Sequence, residues 1–167
     1  GLAAAPMVAV LALGAGAGET GLLSAAQTLP FLLLSFPIGL LADRAPRRGL
    51  MILAEATRGL ALLALPVLAA LGWLSVPVLA AIGFAAATGT VAFSVAAPAL
   101  VPALVPRAAL AAANGRLELA RSVAFAAGPA VAGALVSWAG GSIAFVLAAA
   151  LSVIAVLFLV GVPEPPR

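Results

Sequence analysis

The sequence predicts an all-α, polytopic transmembrane helix bundle. Three observations carry this prediction: an apolar composition, five mostly apolar stretches of spanning length, and a one-sided placement of arginine. Of 167 residues, 65% are hydrophobic and only 8% charged, and the mean hydropathy is +1.30. An ordinary soluble domain is roughly 25% charged. A soluble fold of this length leaves about a third of its chain surface wet, and this chain lacks the polar residues to cover it. A soluble globular enzyme, a disordered chain and a nucleic-acid binder are thereby excluded. The net charge of +3 comes entirely from Arg and is spread along the chain, so it forms no basic patch. Cys, His, Lys and Tyr are absent. Without Cys or His there is no disulfide framework, thiolate metal site or imidazole base, so no metal and no other cofactor is expected. An Ala-, Leu-, Gly- and Arg-rich chain without Lys also fits a GC-rich genome.

A membrane helix needs about 20 mostly apolar residues. Leu2 to Leu13 is apolar but too short, and it ends in Gly14, Gly16, Gly18 and Glu19. It lacks a basic flank and reads as the tail of a helix whose start is missing, not as a secretory signal. The first full span is expected over Thr20–Ala42, with Pro30 and Pro37 tolerated in a bundle. Asp43 to Arg48 is expected as a charged turn. Further spans follow over Gly49–Leu71, Val76–Val101, Leu117–Trp138 and Ser142–Val162. Their breaks are Gly72-Trp73-Leu74-Ser75, a loop Arg107–Arg116 containing Asn114-Gly115, and Gly140-Gly141. Residues 1–162 thus form one transmembrane unit. The Pro-rich residues 163–167 read as the start of a linker. Strand spans are excluded because none of these stretches alternates apolar and polar residues.

Arginine sets the orientation. Arg44, Arg47 and Arg48 lie in one connection, Arg107 and Arg116 two spans later, and Arg167 after the last span. Alternating spans put all six on one side, which the positive-inside rule makes cytoplasmic. Trp73 and Trp138 then lie near the outer interface, as aromatic belts do.

Four charges remain within spans. Glu55 and Arg58, at i,i+3, can pair on one helix face. Their depth makes them candidates for an ion-coupling or substrate pathway, with a structural ion pair as the alternative. Glu118 and Arg121 repeat the spacing at the expected cytoplasmic end of their span, where both can reach the interface. If transport is proton-coupled, Glu55 is the first candidate carboxylate and Glu19 the second. Ser24 and Gln27 are possible polar contacts in a cavity or between helices.

Two motifs point to a family. Gly39-Leu40-Leu41-Ala42-Asp43-Arg44-Ala45-Pro46-Arg47-Arg48 resembles motif A of the major facilitator superfamily, written G-x-L-A-D-R-x-G-R-R, with Pro46 in place of the second Gly. Gly128-Pro129-Ala130-Val131-Ala132-Gly133 is similar in part to motif C of its exporters, with Ala124 and Ala132 where Gly is usual. The segment Pro98 to Asn114, and Arg58 after Glu55, resemble the enterobactin-exporter-like and macrolide-efflux-like branch. The resemblance implies the N-terminal six-helix half of a twelve-helix transporter, with its first helix truncated and its end cytoplasmic.

On that resemblance Gly39, Asp43, Arg44, Arg47 and Arg48 form a conformational latch against helix ends of the other half. Gly128, Pro129 and Gly133 form a hinge. The resemblance also implies a multi-pass protein of a bacterial inner membrane that exports small organic molecules in exchange for protons. Its partners are the lipid bilayer, the C-terminal six-helix half, the substrate and protons, and no nucleic acid. The alternative is a membrane-embedded interaction or scaffold domain without transport.

Overall fold

A computed structural model describes residues 9, 10 and 13–163. Most of the Leu2–Leu13 stretch, and Glu164 and Arg167 of the tail, lie outside the described residues. The described chain is all-α. Its elements are α1 (Ala17–Arg44), α2 (Arg47–Ala70), α3 (Val76–Leu104), a 3₁₀ turn (Arg107–Ala109), α4 (Leu110–Ala139) and α5 (Gly141–Val160). All five α-helices are long and apolar enough to cross a membrane. Helices are the expected solution, because backbone amides in hydrocarbon find partners only within the helix itself.

The helix ends follow local chemistry. At the start of α1 the Glu19 carboxylate accepts the Gly16 N–H at 2.9 Å, satisfying one of the free amides of the first turn. Glu19 is thus a cap. Gly140 serves as C-cap of α4 and N-cap of α5 with φ 84°, a conformation in which a Cβ is strained.

Two expected boundaries are corrected. The charged turn Asp43–Arg48 shrinks to Ala45-Pro46, because Asp43 and Arg44 continue α1 while Arg47 and Arg48 open α2. The expected loop Arg107–Arg116 is a 3₁₀ turn followed by helix, with Asn114-Gly115 inside α4. The strong helix formers Ala111-Ala112-Ala113 ahead of the pair outweigh its turn preference. Pro98 and Pro102 likewise sit inside α3.

Helix α2 buries a well-defined stripe: Leu50, Met51, Ala54, Glu55, Gly59, Leu62 and Leu65. This spacing of three and four residues keeps one face toward neighbours. Helix α3 packs along both α1 and α2, and α5 packs along α2. Helix α4 touches α5 and α3 over a much smaller area and is exposed over most of its length. One apolar cluster joins Leu23, Leu65, Leu79, Val136 and Phe145 near the end of the bundle that carries Trp73 and Trp138. A second joins Ala42, Leu50, Met51, Ala96, Leu100 and Leu159 near the Ala45-Pro46 turn. We refer to these as the tryptophan end and the arginine end.

The tightest glycine contact among the described residues joins α2 and α3. A Cβ on Gly89 would lie 2.5 Å from the Ala54 carbonyl oxygen and 3.3 Å from Arg58 Cβ. By contrast, a Cβ on Gly128 would meet nothing within 4 Å. Overpacking a tight contact costs about 1–3 kcal/mol, whereas Gly→Ala in an open helix stabilises by about 0.4–1 kcal/mol. Gly89→Ala is therefore expected to lower the thermal unfolding midpoint in detergent micelles, and Gly128→Ala to leave it unchanged or raise it. Equal midpoints for the two variants would contradict the close approach.

Candidate functional site

The connection between α1 and α2 is built without a glycine. Pro46 adopts φ −57°, the value its ring imposes, and its carbonyl accepts the first α2 hydrogen bond from Leu50 N–H at 2.9 Å. Proline in place of the motif's second glycine is therefore unstrained here. The turn's charges divide into two pairs. Arg47 Nη1 donates to the Ala99 carbonyl near the end of α3 at 2.8 Å. Arg48 Nη2 donates to the Val160 carbonyl, the last residue of α5, at 2.7 Å. Both guanidiniums begin a helix whose own dipole disfavours them; Arg48 reaches the negative C-terminal end of α5, and Arg47 reaches a carbonyl of α3 five residues before its end. Asp43 and Arg44 are exposed and make no side-chain hydrogen bond or ion pair among the described residues. Gly39 lies one turn before Asp43, with open space where its Cβ would be.

Glu55 and Arg58 form an ion pair inside α2. Arg58 Nη2 lies 2.6 Å from Glu55 Oε2. Glu55 is 2% exposed, while the Arg58 side chain keeps 33% of its surface. Arg58 sits about three turns into α2, beyond easy reach of the interface. Its Nε–H donates to Ser152 Oγ on α5 at 3.4 Å, and Ser152 is itself buried. A Cβ on Gly59 would lie 3.1 Å from Ser152 Cβ, so the absence of a side chain at Gly59 lets α5 come in close enough for that contact. The pair therefore sits where α3, through Gly89, and α5, through Ser152, both meet α2.

The two charges face different spaces. Glu55 borders an apolar crevice of about 280 Å³ between α2 and α5. Arg58 borders a cavity of about 540 Å³ whose other wall is α4, at Phe125, Gly128 and Pro129. A smaller cavity of about 140 Å³ adjoins at Arg58 and Thr90 and extends to Arg121. The earlier start of α4 changes the position expected for Glu118 and Arg121: they lie about two and three turns into the helix, not at its end. Their separation is 3.9 Å and both are exposed. Gly128 and Pro129 line the large cavity, and Gly133 has open space around it. Among the described residues none of the three makes a close helix contact. Gln27 packs against Gly83 of α3 with its Nε2 unpaired among the described residues. Ser24 bonds back to the Thr20 carbonyl.

The family profile described as Major Facilitator Superfamily matches residues 2–167, nearly the whole chain. The chain belongs to the major facilitator superfamily. Comparison with curated proteins and with solved structures gave no match. Membership makes this a membrane transporter chain and places its five described helices in a partial helix bundle of that superfamily. The carbonyl partners of Arg47 and Arg48, and the roles of Gly59, Gly89 and Ser152, were not visible in the sequence. Small residues are common throughout this chain, and only the packing of helices distant in sequence distinguishes these. The spacing Gly59-to-Glu55 offered one signal, since a residue without a side chain sits one turn beyond a buried charge.

Removing one partner of a buried ion pair strands the other and costs about 3–5 kcal/mol, while replacing both is far cheaper. Glu55→Leu alone is thus expected to destabilise the facilitator chain more than the double change Glu55→Leu with Arg58→Leu. A double-mutant cycle on thermal unfolding in micelles measures this. Additive effects would mean the two charges do not depend on each other.

Proposed function

We propose that this superfamily chain is one half of a proton-coupled exporter of small organic molecules, of drug, macrolide or siderophore type, acting by alternating access. It would belong to the enterobactin-exporter-like and macrolide-efflux-like branch, in a bacterial inner membrane. The observation that carries this reading is the Glu55–Arg58 pair deep in a membrane-spanning helix, with Glu55 buried and Arg58 bordering a cavity. An intramembrane charge is expensive to keep and marks a working site by default.

The coupling follows from the pair. Protonating Glu55 removes the counter-charge of Arg58 and leaves a guanidinium in apolar surroundings, which favours any arrangement that gives it another partner. A proton arriving at Glu55 thereby biases the conformational equilibrium. The remaining residues take supporting roles. Arg47 and Arg48 tie the turn to α3 and α5, while Asp43 and Arg44, next to Gly39, are left to latch against helix ends of a C-terminal six-helix half. Pro129 removes one backbone bond within α4, and with Gly128 and Gly133 it would let that helix flex as a hinge. Glu118 and Arg121 lie along the same pathway. The arginine end would be cytoplasmic, with Trp73 and Trp138 at the outer interface.

The test uses the full natural polypeptide in inverted membrane vesicles energised by a proton gradient, with ethidium, erythromycin and a catechol carboxylate as probes. At least one probe should accumulate. Glu55→Gln should cut gradient-driven accumulation at least tenfold while probe exchange at equal pH persists. Arg58→Ala should abolish accumulation with expression retained. Unchanged accumulation in both variants would remove the pair from the mechanism.

A further inference from the structure

We infer that the cavity between α2–α3 and α4 binds an amphipathic organic carboxylate, whose head group is held by Arg58 with Arg121 beside it. This rests on the transporter reading above and names the substrate's charge, which that reading leaves open.

The first argument is which charges line the space. The large cavity and the smaller one beside it share Arg58 and Thr90 in their linings, and Arg121 lines the smaller. Among the described residues two guanidiniums line these cavities and no carboxylate does. Glu55 opens instead on the crevice between α2 and α5, and Glu118 lines neither cavity. A ligand in the cavity therefore meets the positive ends of both pairs. Low-dielectric walls strengthen that field relative to water.

The second argument is donor arithmetic. A guanidinium carries five N–H groups in a fixed fork. Arg58 spends one on Glu55 and one on Ser152, which leaves three without an acceptor among the described residues. Its Nη1, which has no partner among the described residues, is not buried, so that nitrogen's two donors are reachable from open space. Glu55 and Ser152 also hold the fork in place, which lowers the ordering cost when a ligand binds. A carboxylate can take two parallel N–H bonds from such a fork. The hydroxyls nearby do not compete for this role, since Thr90 and Ser94 already donate to Ala86 and Val91 carbonyls of their own helix.

The third argument is the rest of the lining. Leu62, Phe125 and Leu151 supply apolar surface around Arg58. The volume of about 540 Å³ falls in the range of cavities that take drug-sized ligands. One charged anchor in an apolar chamber selects a molecule with an anionic head and an apolar body.

The experiment measures binding of naphthoate, its neutral amide naphthamide, and the cation naphthylmethylammonium to the full natural polypeptide in zwitterionic lipid nanodiscs, by equilibrium dialysis. Naphthoate should bind at least tenfold more tightly than the amide, and the cation most weakly. Arg58→Gln should bring naphthoate down to the amide's level, Arg58→Lys should keep part of the difference, and Arg121→Gln should cost a smaller factor. Arg121 is exposed, so its variant remains informative even where Arg58→Gln fails to fold. Equal binding of acid and amide, or preference for the cation, overturns the inference. So does Arg58→Gln that lowers the unfolding midpoint but leaves naphthoate binding intact, because the guanidinium would then serve a carboxylate of the protein itself. Gradient-driven accumulation in vesicles separates the two readings. A cation accumulated under the proton gradient leaves the exporter standing and sinks the anion site. Tight naphthoate binding without accumulation of any probe does the reverse.

Discussion

One turn of α2, from Ala54 to Gly59, holds α2, α3 and α5 together. Gly89 of α3 rests against the Ala54 carbonyl, Ser152 of α5 rests against Gly59, and between these contacts Glu55 pairs with Arg58. The chemistry explains why the contacts must be close. A carboxylate with 2% exposure in hydrocarbon is stable only with a counter-charge at hydrogen-bond distance and with water excluded. Small residues at positions 59 and 89 let the backbones of three helices approach, since lipid offers no hydrophobic drive for helix association and packing must supply it. The ion pair and the glycines depend on each other.

The two ends of the bundle are secured differently. At the tryptophan end, apolar side chains of several helices meet around Leu23, Leu65, Leu79 and Phe145, and the breaks turn at glycines with positive φ, Gly72 and Gly140. At the arginine end, the apolar cluster is reinforced by two guanidiniums, Arg48 capping the carbonyl end of α5 and Arg47 bonding a carbonyl near the end of α3. Charged capping is favoured there because helix C-termini carry partial negative charge. A short turn can thus tie three helices together. Asp43 and Arg44, just before the turn, take no part in this and stay exposed. Helix α4 stands apart from both arrangements, and its separation from α2 opens the cavity that Arg58 and Arg121 border.

Much of this was legible beforehand, and the physical reason is the solvent. Hydrocarbon demands about 20 apolar residues per span and internal hydrogen bonding, so span number, helical class and the deep charges Glu55 and Arg58 could be read directly. Boundaries were less legible where local signals conflict. Asn114-Gly115 reads as a turn, yet the alanines before it carry the helix through. The same shift moved Arg121 from the expected helix end to a position beside the cavity. Glu19 also caps α1, accepting a hydrogen bond from the Gly16 N–H, a role its sequence position alone did not single out.

Composition, span length and motif spacing determined the kind of protein and its family, because those depend on hydropathy and on residues adjacent in sequence. Tertiary structure decided which glycines are contact points, since Gly59, Gly89, Gly128 and Gly133 look alike in sequence and differ only in what packs opposite them. It also decided the partners of the arginines. Arg47, Arg48 and Arg58 reach residues 52, 112 and 94 positions away, and no periodicity within one helix encodes such distances. For the same reason the sequence could place Glu55 and Arg58 on one helix face. Only the arrangement of α3, α4 and α5 around them turned the carboxylate toward a crevice and the guanidinium toward a cavity.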